Sequence, residues 1–166
     1  MFPESRYLLA GGKSMAIGEI CSREVVVLKR GENIRTAAEL RRQHRAGSLV
    51  VVEERNGNRV PAGIITDRDI VVAVVALGLD PETIRVEDVM SQDLISVRES
   101  AGVAETTEVM RKNGIRRLPV TGGNGALVGI VAADDLQALL AEEMSALAKM
   151  VSREHKREAE IRKKLT

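Results

Sequence analysis

Short runs of β-branched residues alternate along the chain with longer stretches whose apolar positions recur at helical spacing. The apolar run Val25-Val26-Val27-Leu28 predicts a strand. The stretch Ile34 to Ala46 has helical periodicity, with Asn33 where an N-cap belongs and Gly47 where a left-handed closing residue belongs. Leu49-Val50-Val51-Val52 and Val60 to Ile65 then flank Asn56-Gly57-Asn58, which predicts a hairpin. A helix from Asp67 to Leu77 follows, and Asp80-Pro81 stops it.

The same order then recurs. Ile17-Gly18-Glu19-Ile20 is echoed by Val86-Glu87-Asp88-Val89-Met90, and the first strand by Leu94-Ile95-Ser96-Val97. Ala101 to Asn113, with Ser100 before it and Gly114 after it, predicts the second helix of this kind. Leu118-Pro119-Val120 and Ala126 to Val131 flank the turn Gly122-Gly123-Asn124-Gly125, and a helix starts at Asp134. The predicted architecture is mixed α/β (α+β), two β-α-β-β-α repeats. The divisions are an extension at 1–14, repeat one at 15–79, a linker at 80–85, repeat two at 86–141 and a charged helix at 142–166. A unit of about 60 residues buries a modest share of its surface. Two such units are therefore expected to face each other across a pseudo-twofold axis, which makes two related clefts.

Composition narrows the function. Apolar residues are 44% of the 166, with no Trp, one Tyr and one Phe, so the core is built from aliphatic side chains. Basic and acidic residues nearly cancel, 25 against 24, and aromatic stacking platforms are missing, which argues against nucleic acid as partner. The single cysteine, Cys21, excludes an internal disulfide and reads as a small core residue. His44 and His155 are too far apart in sequence to suggest a metal spacing. The apolar run Ile70 to Leu77 is too short to cross a bilayer, and Tyr7 to Ala10 is too short for a signal peptide. The chain reads as cytoplasmic, with no membrane contact. No nucleophile–base set, metal cluster or phosphate-binding loop is visible, so it does not read as an enzyme.

Three strings carry a family resemblance: Gly63-Ile64-Ile65-Thr66-Asp67-Arg68-Asp69, Gly129-Ile130-Val131-Ala132-Ala133-Asp134-Asp135, and Gly114-Ile115-Arg116-Arg117-Leu118-Pro119-Val120. With the repeat and its element order, they resemble the hallmark segments of CBS domains over residues 17 to 140. The resemblance implies a paired module, often called a Bateman module. Its clefts bind AMP, ADP or ATP, and sometimes NAD or S-adenosylmethionine, and its output passes through another protein or a change of assembly.

The chemistry of the first string is readable by itself. An ionised carboxylate only accepts hydrogen bonds, so one Asp can take both hydroxyls of a ribose. A nearby Thr hydroxyl can donate to a phosphate oxygen. Asp69 and Thr66 match the family's ribose and phosphate-side positions. Thr66-x-x-Asp69 is equally a capping box, in which both side chains satisfy free N–H groups at a helix start. In the second repeat Ala132 replaces the hydroxyl residue while Asp135 keeps the acid. The better site is therefore expected near Thr66 and Asp69, and a weaker or empty one near Asp135. The resemblance also implies Arg116 and Arg117 as phosphate partners, one of them pointing inward by strand alternation. Arg68 is a third candidate. Val26 and Ile64 are candidate walls for adenine, and both are equally explained as core.

Two features suggest assembly. The stripe Leu140, Met144, Leu147, Val151, interrupted at Glu154 and Glu158 and resuming at Ile161 and Leu165, has the spacing of a helical seam or is a solvated helix end. Apolar positions Ile70, Val71, Val74 and Val75, with Val109 and Met110, exceed what one internal face can cover. A homodimer is expected, with an unknown protein partner downstream. The competing reading is a ligand-free pair that only bridges proteins.

Overall fold

The computed structural model describes the backbone of residues 15–164 and side chains from 15 to 158. The extension at 1–14 and the seam positions Ile161 and Leu165 lie outside the described side chains. The elements are α1 (Ile17–Ile20), β1 (Val27–Lys29), α2 (Ile34–His44), β2 (Leu49–Arg55), β3 (Asn58–Ile65) and α3 (Asp67–Ile70), which runs on as a π-helical turn over Val71–Val75. Repeat two has α4 (Val86–Val89), β4 (Val97–Arg98), α5 (Val103–Asn113), β5 (Arg117–Thr121), β6 (Leu127–Ala132) and the long α6 (Ala133–Lys164).

Each repeat builds one three-stranded sheet, in the orders β1-β2-β3 and β4-β5-β6. The outer strand is parallel to the middle one, because a helix crosses over between them, and the hairpin partner is antiparallel. The β2–β3 hairpin turns on Asn56 and Gly57, both at positive φ (50° and 75°), the combination a two-residue hairpin with right-handed twist requires. Leu49, Val50, Val51 and Val52 are all buried, which explains why β2 opens on a continuous aliphatic run rather than an alternating one.

The helix ends differ in part from the sequence reading. Asn33 caps α2, its Oδ1 accepting from the Thr36 amide at 2.9 Å. Helix α2 ends at His44, and Arg45, not Gly47, takes the left-handed position at φ 49°. Gly47 leaves room for a side chain of repeat two, described below. Ser100 is not the cap of α5; Gly102 holds that place, and the Thr106 hydroxyl donates back to its carbonyl. Gly114 closes α5 at φ 62°, as its sequence position implies.

The two short opening helices exchange partners. Ile17 and Cys21 of α1 pack in the core of the second sheet, with Val97, Met110, Leu118, Val120 and Val131. Val86 and Met90 of α4 pack in the core of the first, with Leu28, Ile34, Leu49, Val51 and Ile65. Backbone pairing fixes the exchange. Ser22 pairs antiparallel with Ile130 of β6, and Ser91 with Ile64 of β3. The approach is close. A Cβ on Gly129 would stand 2.7 Å from the Ser22 carbonyl oxygen, and one on Gly63 would stand 2.9 Å from that of Ser91. Each sheet therefore closes its core with a segment from the other end of the pair, and neither repeat is complete alone.

Candidate ligand cleft between the repeats

The start of β2 and the start of β5 are equivalent places, since Leu49 and Leu118 are each the first fully buried residue of a middle strand. Ser48 and Arg117 precede them by one residue. Ile64 and Ile130 are equivalent through their matching bridges to Ser91 and Ser22. Thr66 and Asp69 thus correspond to Ala132 and Asp135. The pseudo-twofold axis sets two clefts from these parts.

One cleft is an open cavity of about 130 Å³. Repeat one supplies Glu24, Val25 and Val26 from the chain before β1, and Ala46, Gly47 and Ser48 from the turn before β2. Repeat two supplies Arg117, Ile130 and Ala132. The Arg117 guanidinium lies across Gly47, with its Cζ 2.6 Å from where a Cβ would be. Glycine at 47 leaves room for that placement of the guanidinium. Arg117 is half-buried and has no carboxylate within ion-pair range among the described residues. Ser48 is 6% exposed, and its buried Oγ has no hydrogen-bond partner. A hydroxyl in that state costs free energy unless something else supplies the partner. The cavity thus combines aliphatic walls, an unpaired buried hydroxyl, an unpaired cation and the Glu24 carboxylate.

Asp135 stands beside this cavity, because its Oδ2 accepts from the Ala132 amide at 2.8 Å. That single bond leaves its second oxygen and remaining lone pairs available. The Thr66–Asp69 pair is more heavily committed. Asp69 Oδ2 accepts from both the Thr66 amide (2.7 Å) and the Thr66 hydroxyl (2.6 Å), and the Asp69 amide leans on Thr66 Oγ1 at 3.4 Å. The capping box is formed in full. Val26 and Arg117 therefore meet in one cavity with Ile130 and Ala132, whereas Ile64, Thr66 and Asp69 occupy the corresponding places across the axis. Arg116 turns away into an exposed pair with Asp134 at 2.8 Å, and Arg68 is exposed on α3.

Sequence reasoning missed Ser48, Gly47 and Ile130. Aligning the repeats residue by residue would have found Ser48, which sits where repeat two has Arg117. Among the described residues no cluster of three or more His, Cys, Asp or Glu is placed to hold a metal, and no helix is long and apolar enough to cross a membrane.

Comparison with known proteins agrees with the repeat. Residues 17–76 and 86–142 each match the CBS domain family. An uncharacterized protein of Methanopyrus kandleri is 40% identical over 75% of this chain and 62% of its own length. The hexameric CBS-CP12 protein from bloom-forming cyanobacteria superposes with a TM-score of 0.67 at 29% identity, over 76% of this chain and 68% of that one. The CBS domain pair of protein MJ0100, solved in complex with 5′-methylthioadenosine and S-adenosylmethionine, superposes with a TM-score of 0.65 at 26% identity, over 75% of this chain and 98% of that one. The chain belongs to the CBS-domain family, as a tandem pair.

Proposed function

We propose that this CBS pair is a regulatory module that binds an adenosine ligand, AMP foremost and ADP, ATP or NAD in competition, in the cleft that holds Ser48 and Arg117. The observation that carries the reading is the unpaired, buried Ser48 hydroxyl facing the same small cavity as the unpaired Arg117. The cavity is smaller than the several hundred Å³ that enclose a drug-sized molecule. It takes the base, between Val26 and Ile130, with Ser48 as its polar contact. The ribose lies at the rim against Asp135, and the phosphate reaches Arg117, whose planar fork suits it. The MJ0100 complex supports an adenosine moiety in a pair of this kind. This assignment moves the better site from Thr66 and Asp69, where sequence reasoning put it, to the Asp135 side. Thr66, Asp69 and Ile64 serve the related cleft, where the committed capping box makes binding weaker.

The ligand acts by shifting the geometry of the pair, which a partner or the protein's own assembly reads. Exposed Val71, Val72 and Val75 beside α3 offer an apolar face for a second copy, and we propose a homodimer there. The one buried thiol fits a reducing compartment, and we place the protein in the cytoplasm. The competing scaffold reading rests on the closed Thr66–Asp69 box. Calorimetric titration with AMP separates the two: Arg117→Gln weakens binding about ten- to a hundredfold if the guanidinium holds the phosphate. If a scaffold is the right reading, no heat is seen with wild type.

A further inference from the structure

Arg41, on the last turns of α2, is 8% exposed, and it is the one buried charged side chain among the described residues. Its Nε stands against the Asp67 carboxylate at the start of α3, an ion pair that ties the two helices together. Nε is taken up by that carboxylate, whereas Nη1 is buried with no acceptor among the described residues. A guanidinium carries five N–H donors, and burying them unpaired is costly. Asp67, itself 75% exposed, offers only partial compensation.

Arg41 lines a cavity of about 500 Å³ with Arg42, Arg45, Asp67, Ile70 and Val71, the last at the edge of the face proposed for a second copy. Arg41 and Arg45 are four residues apart, and both border the cavity. Arg45 is held in the left-handed conformation that ends α2, which fixes where its side chain leaves the backbone. Neither Arg42 nor Arg45 has a carboxylate within ion-pair range among the described residues. Three arginines and one carboxylate thus line a single cavity, and the most buried of the three has an Nη1 without an acceptor.

We propose that this cavity is an anion site for a phosphoryl group, either inorganic phosphate or the phosphate end of a small ester. The chemistry follows from the donors. Planar guanidinium forks bordering one cavity suit the tetrahedral oxygens of a phosphoryl group, and a dianion balances the surplus of three arginines over one carboxylate. The site lies on the helical side of repeat one, at the α2–α3 contact, and shares only Ala46 with the lining of the Ser48–Arg117 cavity. It does not depend on the adenosine reading. A ligand here would act on the Arg41–Asp67 pair and hence on α3, whose first turn carries Asp69.

Titration calorimetry with inorganic phosphate, pyrophosphate and methyl phosphate tests the proposal, at constant ionic strength set with chloride. Wild type binds at least one of the three at millimolar concentration or better, and methyl phosphate against inorganic phosphate tells ester from free ion. The double variant Arg42→Gln/Arg45→Gln, which changes exposed side chains and leaves the Arg41–Asp67 pair in place, loses tenfold or more in affinity, by about tenfold per charged partner. Arg117→Gln binds the same anion within about twofold of wild type, because the nucleotide cleft is elsewhere. AMP affinity is unchanged in the double variant. No binding by wild type, equal binding by the double variant, or a loss confined to Arg117→Gln would each overturn the assignment.

Discussion

The exchange of opening helices can be tested at one atom. Gly129→Ala places a methyl 2.7 Å from the Ser22 carbonyl oxygen and 2.7 Å from Cys21 Sγ. Ordinary contact begins near 3.4 Å, so the opener must retreat by about 0.7 Å (3.4 − 2.7). The two hydrogen bonds that hold it, Ser22 N–H to Ile130 O and Ile130 N–H to Ser22 O, are both 2.9 Å. A retreat of that size carries them to about 3.6 Å, beyond useful range. Losing two backbone bonds costs about 1 kcal/mol each, and loosening Ile17 and Cys21 in the second core adds to it. The smaller entropy of an alanine in the unfolded chain returns about 0.4–1 kcal/mol. The net is about 1–3 kcal/mol, or a fall in Tm of about 3–10 °C for a chain of this size. Gly123→Ala is the control, since a Cβ there meets nothing within 4 Å and its φ is not positive. Its Tm should stay within a degree or two of wild type. Differential scanning calorimetry gives the melting shift, and amide exchange gives the local protection of Ser22 and Ile130. If Gly129→Ala melts like wild type with both amides still protected, the opener is not bound as described, and the exchange between repeats is refuted.

Other expected outcomes follow from single contacts. Asn33→Ala removes the acceptor that serves both the Thr36 amide and hydroxyl, so urea denaturation should show a loss of about 1 kcal/mol with an unchanged m-value. Burial raises the pKa of the Cys21 thiol above its ordinary value, only partly offset by Arg23. Alkylation at pH 8 should therefore be slow until the protein is unfolded; because the folded pKa is the higher one, its contribution to stability is full below pH 9 and fades as pH climbs through the folded value. Asp69→Asn turns an oxygen that accepts twice into a weaker or wrongly paired group, so the free protein should lose about 1 kcal/mol in a thermal melt; no loss would mean the box is not formed in solution. Truncation after Val151 leaves a dimer intact in light scattering if Val71, Val72 and Val75 form the interface, and gives monomers if the exposed α6 stripe does.

The repeat, the strand order and the hairpins were legible because they rest on local signals. Asn56-Gly57 demands its turn, Gly114 its left-handed φ, and Asn33 its capping bond. The exchange of openers was not, since Ile17 and Val86 read alike and nothing in either string says which sheet it completes. The π-helical turn at Val71–Val75 is also silent in a run that suits any buried element. The cleft was legible only in halves. Val26 and Arg117 were identified from sequence, but the family resemblance set the arginine against Thr66 and Asp69, whereas the cavity groups Val26 and Arg117 with Ile130 and Ala132 of repeat two. Gly47 looked like a helix stop because that is the commonest local use of glycine after a helix. In the structure it leaves room for the guanidinium of a residue seventy positions away in sequence.

The central claim is that an adenosine ligand sits in the cleft of Ser48, Arg117 and Asp135. Isothermal titration of AMP into wild type, Arg117→Gln, Asp135→Asn and Asp69→Asn tests it most directly. The account predicts saturable binding by wild type, a loss of about ten- to a hundredfold in both Arg117→Gln and Asp135→Asn, and a much smaller loss at that site in Asp69→Asn. Absence of binding with AMP, ADP, ATP, NAD and S-adenosylmethionine, or an affinity that falls with Asp69→Asn and ignores Asp135→Asn, would contradict it.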